Sequence, residues 1–191
     1  DISERKNLER QLKHMAFHDP LTDLPNRILF MDRLEQALAA IPRRSPSIAV
    51  LFVDLDNFKT VNDNFGHDAG DQALKHAATL IQSCIRTVDT ISRLGGDEFT
   101  VLLQDIEKLD DALDVASRIL ERFNQPIPVD GHEVWLTVSI GVVISSASDD
   151  DPETLVRLGD QAMYRAKAAG KSRYAVYTPH QERNSEIAAC E

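Results

Sequence analysis

Two short acidic stretches are the first chemical signal in this chain. Asp54 and Asp56 close the run Val50-Leu51-Phe52-Val53-Asp54-Leu55-Asp56, and Asp97 and Glu98 follow Gly95-Gly96. Acids at the ends of neighbouring core strands can converge in one cleft. Unpaired carboxylates held together repel, and burying one is costly unless it is neutralised. A hard divalent cation removes that conflict; magnesium takes one or two carboxylates together with water and phosphate oxygens. The pattern points to phosphoryl transfer with one or two metals. Lys59 lies one helical turn beyond Asp56 and can reach a phosphate. The backbone amides of Asn57 and Phe58 open a helix, a natural anion site. Lys167 and Lys171 share one face at another helix end and offer a second phosphate clamp. The competing reading is that the acids only cap turns and a helix, a common use of Asp beside Gly.

Hydrophobic spacing and turn residues mark the elements that hold these groups. The spacing predicts a helix over residues 1–17, with Leu8, Leu12 and Met15 as a short apolar stripe. That helix reads equally as a surface helix or as the end of a signalling helix. A polar turn over His18–Arg27 precedes a helix from Ile28 to Ala40, stopped by Pro42. Ser47–Asp54 is apolar enough for a central strand buried on both faces. Helices are expected over Phe58–Asn62, Ala69–Thr87, Leu109–Phe123 and Pro152–Ala169, the last ended by Gly170. Thr90–Leu94 and Glu98–Leu103 form a hairpin about Gly95-Gly96-Asp97. Ile127–Val129 and Val134–Ile144 read as a second hairpin, and Tyr174–Tyr177 as a closing strand. The order implies an α+β fold with a ferredoxin-like βαββαβ core: a mostly antiparallel sheet with helices on one face.

Composition narrows the function classes. With 21 Lys+Arg against 31 Asp+Glu the net charge is −10, which argues against a nucleic-acid polymer as partner. Only Cys84 and Cys190 are present, so a reducing cytoplasm is the simplest location; it leaves room for membrane attachment of a longer protein. The opening at Asp1 suggests a segment of such a protein. Cys84 is expected in the core, Trp135 in packing, the six histidines at the surface or in caps, and Asp149-Asp150-Asp151 in a loop and helix start.

The stretch Arg93-Leu94-Gly95-Gly96-Asp97-Glu98-Phe99 closely resembles the signature of the GGDEF family of diguanylate cyclases. Other family-like stretches follow in order: Asp19–Arg27, Asp54–Asp63, Gly66–Asp71, Thr137–Gly141 and Asp160–Lys167. The resemblance covers residues 18–177. It implies a palm-like nucleotidyl cyclase domain over 18–178, with a linker or signalling helix over 1–17 and a linker tail over 179–191. It further implies condensation of two GTP into cyclic di-GMP with release of two pyrophosphates. Asp54, Glu98 and the Leu55 carbonyl would hold Mg2+, with Mn2+ as the alternative ion. Asp97 would assist deprotonation of the 3′-hydroxyl. Asn62 and Asp71 would read guanine, whose N1 and N2 donors suit an amide and a carboxylate. Gly95 and Gly96 would admit the nucleotide, and Lys59, Lys167 and Lys171 would grip its phosphates, beside the amides of Asn57 and Phe58. One GTP per half-site implies a homodimer about a two-fold axis.

Arg86 and Asp89 stand where family members with Arg-x-x-Asp bind cyclic di-GMP and are inhibited by it; the plain alternative is a surface ion pair. Asp23 stands where glycine is common, Lys171 where lysine or arginine is expected, Ser172 where asparagine is frequent and Leu94 where an aromatic is frequent. An upstream sensor and a downstream domain, such as a phosphodiesterase of the EAL type, are expected in the longer protein. The alternatives to a cyclase are a regulatory module that binds GTP or cyclic di-GMP without turnover and a purely structural dimerisation domain.

Overall fold

The computed structural model describes residues 2–41, 47–145 and 150–177. The expected stop at Pro42, Asp149, the tail 179–191 and Cys190 lie outside them. Strand β1 (Ser47–Asp56) is buried along nearly its whole length, as its unbroken apolar run demands. It is central in a sheet ordered β2-β3-β1-β6-β7, with β2 spanning Thr90–Gly95, β3 Glu98–Ile106, β6 Thr137–Ser145 and β7 Arg173–Val176. The pairings are antiparallel except β6 with β7, which is parallel. The first four strands have the order of a ferredoxin-like core.

Helices α3 (Phe58–Phe65) and α4 (His67–Gln82) connect β1 to β2, and α5 (Leu109–Arg122) follows β3. They cover one face of the sheet, where Leu51, Val53, Phe99, Val101 and Ile140 pack with Ala73, Ala77, Ile81 and Ile119. The expectation of helices on a single face holds for these crossover helices and fails for the fold. On the opposite face Val50, Phe52, Leu102 and Val143 pack with Phe30 and Leu34 of α2 (Arg27–Ala40) and Leu155 and Met163 of α6 (Pro152–Ala168). Both alternating sets of β1 side chains are apolar, so both faces need covering.

Three local expectations are also corrected. Helix α4 stops at Gln82 rather than Thr87, and a turn leads to β2. The second hairpin is only β4 (Ile127–Val129) with β5 (His132–Val134), a separate two-stranded sheet, and β6 starts afresh at Thr137. Between them Leu136 is buried while Trp135 is 68% exposed, so Trp135 does not serve in packing. Helix α1 (Ile2–Phe17) forms as expected, and its stripe of Leu8, Leu12 and Met15 faces solvent. Cys84 is buried, and Asp151 caps α6 by accepting from the Thr154 amide at 2.8 Å.

Candidate active site

Strand register brings the acids together. The pairing of β1 with β3 sets Asp54 opposite Glu98, and β6 sets Ser139 on the other side of Asp54. The Leu55 amide donates to the Asp97 carbonyl at 3.2 Å, fixing the hairpin tip against β1. Gly95 pairs with Glu98, so Gly96 and Asp97 form the tip itself. Gly95 and Gly96 have φ of +149° and +53°, and a Cβ on either would meet open space. Their role is therefore backbone conformation at the tip, not relief of crowding.

Helix α6 brings the counter-charge. A Cβ on Gly141 would overlap the backbone of Gly159 and Met163, and one on Gly159 would overlap the Phe52 ring. These two glycines let α6 lie directly on β6 and β1. Lys167 Nζ then reaches Asp54 Oδ2 at 2.8 Å. Desolvation, reinforced by Asp97 and Glu98 and opposed by Lys167, pushes the Asp54 carboxyl up to about 6. Burial, Asp160 and Asp97 push Glu98 up, against Lys167 and Arg27. Burial works against the Lys167 charge, but Asp54, Asp97 and Asp56 outweigh it and raise its pKa.

One lysine does not balance Asp54, Asp97 and Glu98. The oxygen donors of Asp54 and Glu98 suit a hard divalent cation. Among the described residues no group of three or more His, Cys, Asp or Glu side chains is arranged to hold a metal. A cation taking two carboxylates and completing its shell from substrate and water fits such a donor set. Asp56 is not part of the cluster, contrary to the expectation from the two acidic stretches. Its carboxylate turns to β6 and the segment after α6, accepting from the Thr137 and Ser139 hydroxyls at 2.8 and 2.7 Å and the Ser172 amide at 3.1 Å.

The candidate phosphate groups sit at the same end of the sheet. Asn57 precedes α3 with a left-handed φ of +59°, and Lys171 Nζ donates to its Oδ1 at 2.7 Å. Lys59 is exposed on α3, whereas the Phe58 side chain is buried and only its backbone can face a ligand. Asn62 is half-buried on α3 and Asp71 exposed on α4. A Cβ on Gly70 would collide with Asn62 Oδ1, so this glycine lets the two helices meet. Gly70, Gly141 and Gly159 were not legible as positioning residues, although glycines inside helix and strand patterns are the signal for close approach.

Arg93 was also missed. It donates from Nη1 to both Asp19 oxygens at 3.0 and 2.9 Å and from Nε and Nη2 to the Gly96 carbonyl at 3.0 and 2.6 Å. It therefore ties the turn after α1 to the hairpin tip. Burial raises the Asp19 carboxyl, but bonds from Thr22 and Arg93 outweigh it and hold it below its ordinary value. Nearby Asp23 adopts φ +61° and Ser172 φ +48°, the left-handed backbone that the commoner Gly and Asn favour.

Arg86 and Asp89 lie at the other end of the hairpin. Asp89 accepts from the Arg86 amide at 2.9 Å, Nε at 3.2 Å and Nη2 at 3.1 Å, and from the Gln104 amide at 3.2 Å. The Asp89 side chain is 1% exposed and that of Arg86 55%. The bonds that Arg86 donates to Asp89 raise the Arg86 pKa, against burial. Beside the pair, Asp105, Asp111, Asp114 and Arg118 line a groove of about 280 Å³.

The family model described as "Diguanylate cyclase, GGDEF domain" matches residues 16–173. The bifunctional diguanylate cyclase/cyclic di-GMP phosphodiesterase MucR of Pseudomonas aeruginosa is 41% identical over 177 residues, covering 93% of this chain and 26% of that protein. The cyclic di-GMP phosphodiesterase PdeR of Escherichia coli is 37% identical over 180 residues, covering 94% of this chain and 27% of that protein. The chain thus spans about a quarter of these relatives. A structure of a truncated TpbB (YfiN) from Pseudomonas aeruginosa, comprising only the GGDEF domain, aligns with a TM-score of 0.83 and 38% identity, over 88% of this chain and 99% of that chain. No helix among the described residues is long and apolar enough to cross a membrane.

Proposed function

This chain belongs to the GGDEF family of diguanylate cyclase domains, and on that footing we propose that it condenses two GTP into cyclic di-GMP and two pyrophosphates. The observation that carries the reading is the under-neutralised edge of Asp54, Asp97 and Glu98, with Lys167 at 2.8 Å from Asp54. Such an edge invites a cation and the phosphates it brings. Magnesium or manganese, held by Asp54, Glu98 and the Leu55 carbonyl, would supply charge neutralisation at the triphosphate.

The chain's own groups bind and orient. Asn62 and Asp71 accept from the guanine N1 and N2 donors, and adenine, lacking that pair, leaves them unsatisfied. Lys59, Lys167, Lys171 and the amides of Asn57 and Phe58 hold the phosphates. Each 3′-oxygen forms a bond to the α-phosphorus of the opposite GTP, the bond from that phosphorus to the β-bridging oxygen breaks, and pyrophosphate leaves. Asp97 takes the hydroxyl proton. Two protomers about a two-fold axis supply the two half-sites, so the catalytic term is largely positioning.

Product returns to the Arg86 turn. Arg86 presents its half-exposed guanidinium to cyclic di-GMP, and Asp89, with its oxygens already engaged, orients it. The domain occupies 18–178, flanked by a signalling helix and a linker in a longer chain with sensor and output domains. A second reading has its own support: PdeR, similar over 94% of this chain, is named a phosphodiesterase. In that reading the domain binds GTP or cyclic di-GMP and regulates a neighbour without turnover.

The test uses protein stripped of nucleotide, concentrated, and incubated with GTP and magnesium. Cyclic di-GMP and pyrophosphate separated by chromatography are the expected outcome. Binding of either nucleotide without turnover favours the regulatory module. Binding of neither overturns the reading of the site.

A further inference from the structure

Asp56 is buried, yet the proposed chemistry gives it no task. Its Oδ2 accepts from the Thr137 hydroxyl at 2.8 Å and from the Ser172 amide at 3.1 Å, and its Oδ1 from the Ser139 hydroxyl at 2.7 Å. The carboxylate thus ties the end of β1 to β6 and to the turn that follows α6. That turn has an uncommon backbone. Lys171 and Ser172 are consecutive non-glycine residues at φ +61° and +48°, and Asn57, next to Asp56, has φ +59°. Conformations of this kind persist only where surrounding contacts over-determine them, and they cluster at ligand clamps.

The turn's own bonds are local, from the Lys171 amide to the Ala166 carbonyl at 3.1 Å and from Arg173 Nε to the Lys171 carbonyl at 3.0 Å; two further links tie it to the rest of the site. Ser172 donates its amide to Asp56, and Lys171 Nζ donates to Asn57 Oδ1 at 2.7 Å. Together they join the end of α6 to the start of α3. The Lys171 link is exposed and rests on a long flexible side chain. The Asp56 carboxylate is buried, its bond to Ser172 is half-buried, and the carboxylate is shared with two hydroxyls of the sheet. The Asp56 link therefore anchors to the sheet the backbone from which the half-buried lysine projects.

We propose that Asp56 is a positioning residue: by clasping Ser172 it holds Lys171 over the amino end of α3, where the substrate triphosphate is gripped. The role rests on the reading of the site as a GTP site. It differs from that of Asp54, two residues earlier, which would hold the cation.

Asp56→Ala and Asp56→Asn test this in the whole chain by amide hydrogen exchange and by calorimetric titration with GTP and magnesium. In Asp56→Ala the Ser172 amide loses protection and GTP affinity falls roughly tenfold. Asp56→Asn, which can still offer one acceptor oxygen to Ser172, recovers most of both. Lys171→Ala weakens GTP binding in the natural chain and adds little in Asp56→Ala, since the two residues act as a unit. If Asp56→Ala does not fold, Asp56→Ser replaces it, polar but too short to span to Ser172. Folded Asp56→Ala or Asp56→Ser that binds GTP as well as the natural chain overturns the positioning role alone, as does an additive Lys171→Ala effect. A natural chain that binds no GTP overturns the functional reading, and the positioning role falls with it.

Discussion

The two ends of the β2–β3 hairpin treat buried charge in opposite ways. At the open end the Asp89 side chain is 1% exposed and accepts from three donors on Arg86 and one on Gln104. At the tip, Asp54 is 7% exposed and has one ion-pair partner, Lys167, against the neighbouring charges of Asp97 and Glu98. Burial is nearly the same at the two ends, and neutralisation is not. A carboxylate that the fold itself satisfies is a structural part; one left short of positive charge is prepared for a charge from outside. The most direct way to break this comparison is to neutralise each end in turn. Asp54→Asn or Glu98→Gln is expected to lower cyclic di-GMP formation by roughly 10³-fold or more, measured with magnesium at saturating GTP. Full turnover in either variant would remove the tip from the reaction.

The open end should respond in stability instead. Asp89→Asn leaves Arg86 and Gln104 donors imperfectly matched around a buried amide. It is expected to cost about 1–3 kcal/mol in urea denaturation while turnover persists. Arg86→Ala sharpens the contrast, because it removes the exposed half of the pair. Inhibition by added cyclic di-GMP should be relieved, and the initial rate with GTP retained. An unchanged inhibition curve would make the pair a turn lock and nothing more.

The contrast also marks what could be read from sequence. The tip was legible because an apolar strand ending in Asp54 and a Gly-Gly-Asp-Glu turn are both local patterns. The role of Asp56 was not, because its meaning lies in partners across the fold: Ser172 is 116 residues from Asp56. For Asp89 the contact with Arg86 was legible from their spacing, and the burial of Asp89 and its bond from the Gln104 amide were not. The Asp19–Arg93 pair spans 74 residues and escapes any local pattern for the same reason. Trp135 looked like a strand residue, but β5 ends at Val134 and β6 begins at Thr137, and a break in pairing leaves no trace in hydropathy. The second helical layer was missed although β1 carries apolar side chains on both faces. Gly141 and Gly159, whose missing Cβ atoms seat that layer, read from sequence only as ordinary members of a strand and a helix.

The smallest expected effect tests the charge imbalance itself, without substrate. Desolvation together with Asp97 and Glu98 raises the folded-state pKa of Asp54 from 3.8 to about 6. The folded chain then holds this proton more tightly than the unfolded chain. The associated stability is fully present below pH 3.8 and is lost as pH rises to about 6. Asp19 and Asp151, whose pKa values are lowered, act in the opposite sense: their contributions hold above 3.8 and are lost as pH falls through their folded values. Between pH 5 and 7 Asp54 should therefore lower the stability of the metal-free protein by about 1 kcal/mol, read from urea midpoints. Asp54→Asn should reduce this slope to what the raised Glu98 carboxyl contributes in the same sense, and Asp89→Asn should leave it unchanged at a lower overall stability. An undiminished slope in Asp54→Asn would place the raised acid elsewhere, and the two ends of the hairpin would no longer differ in the way their geometry requires.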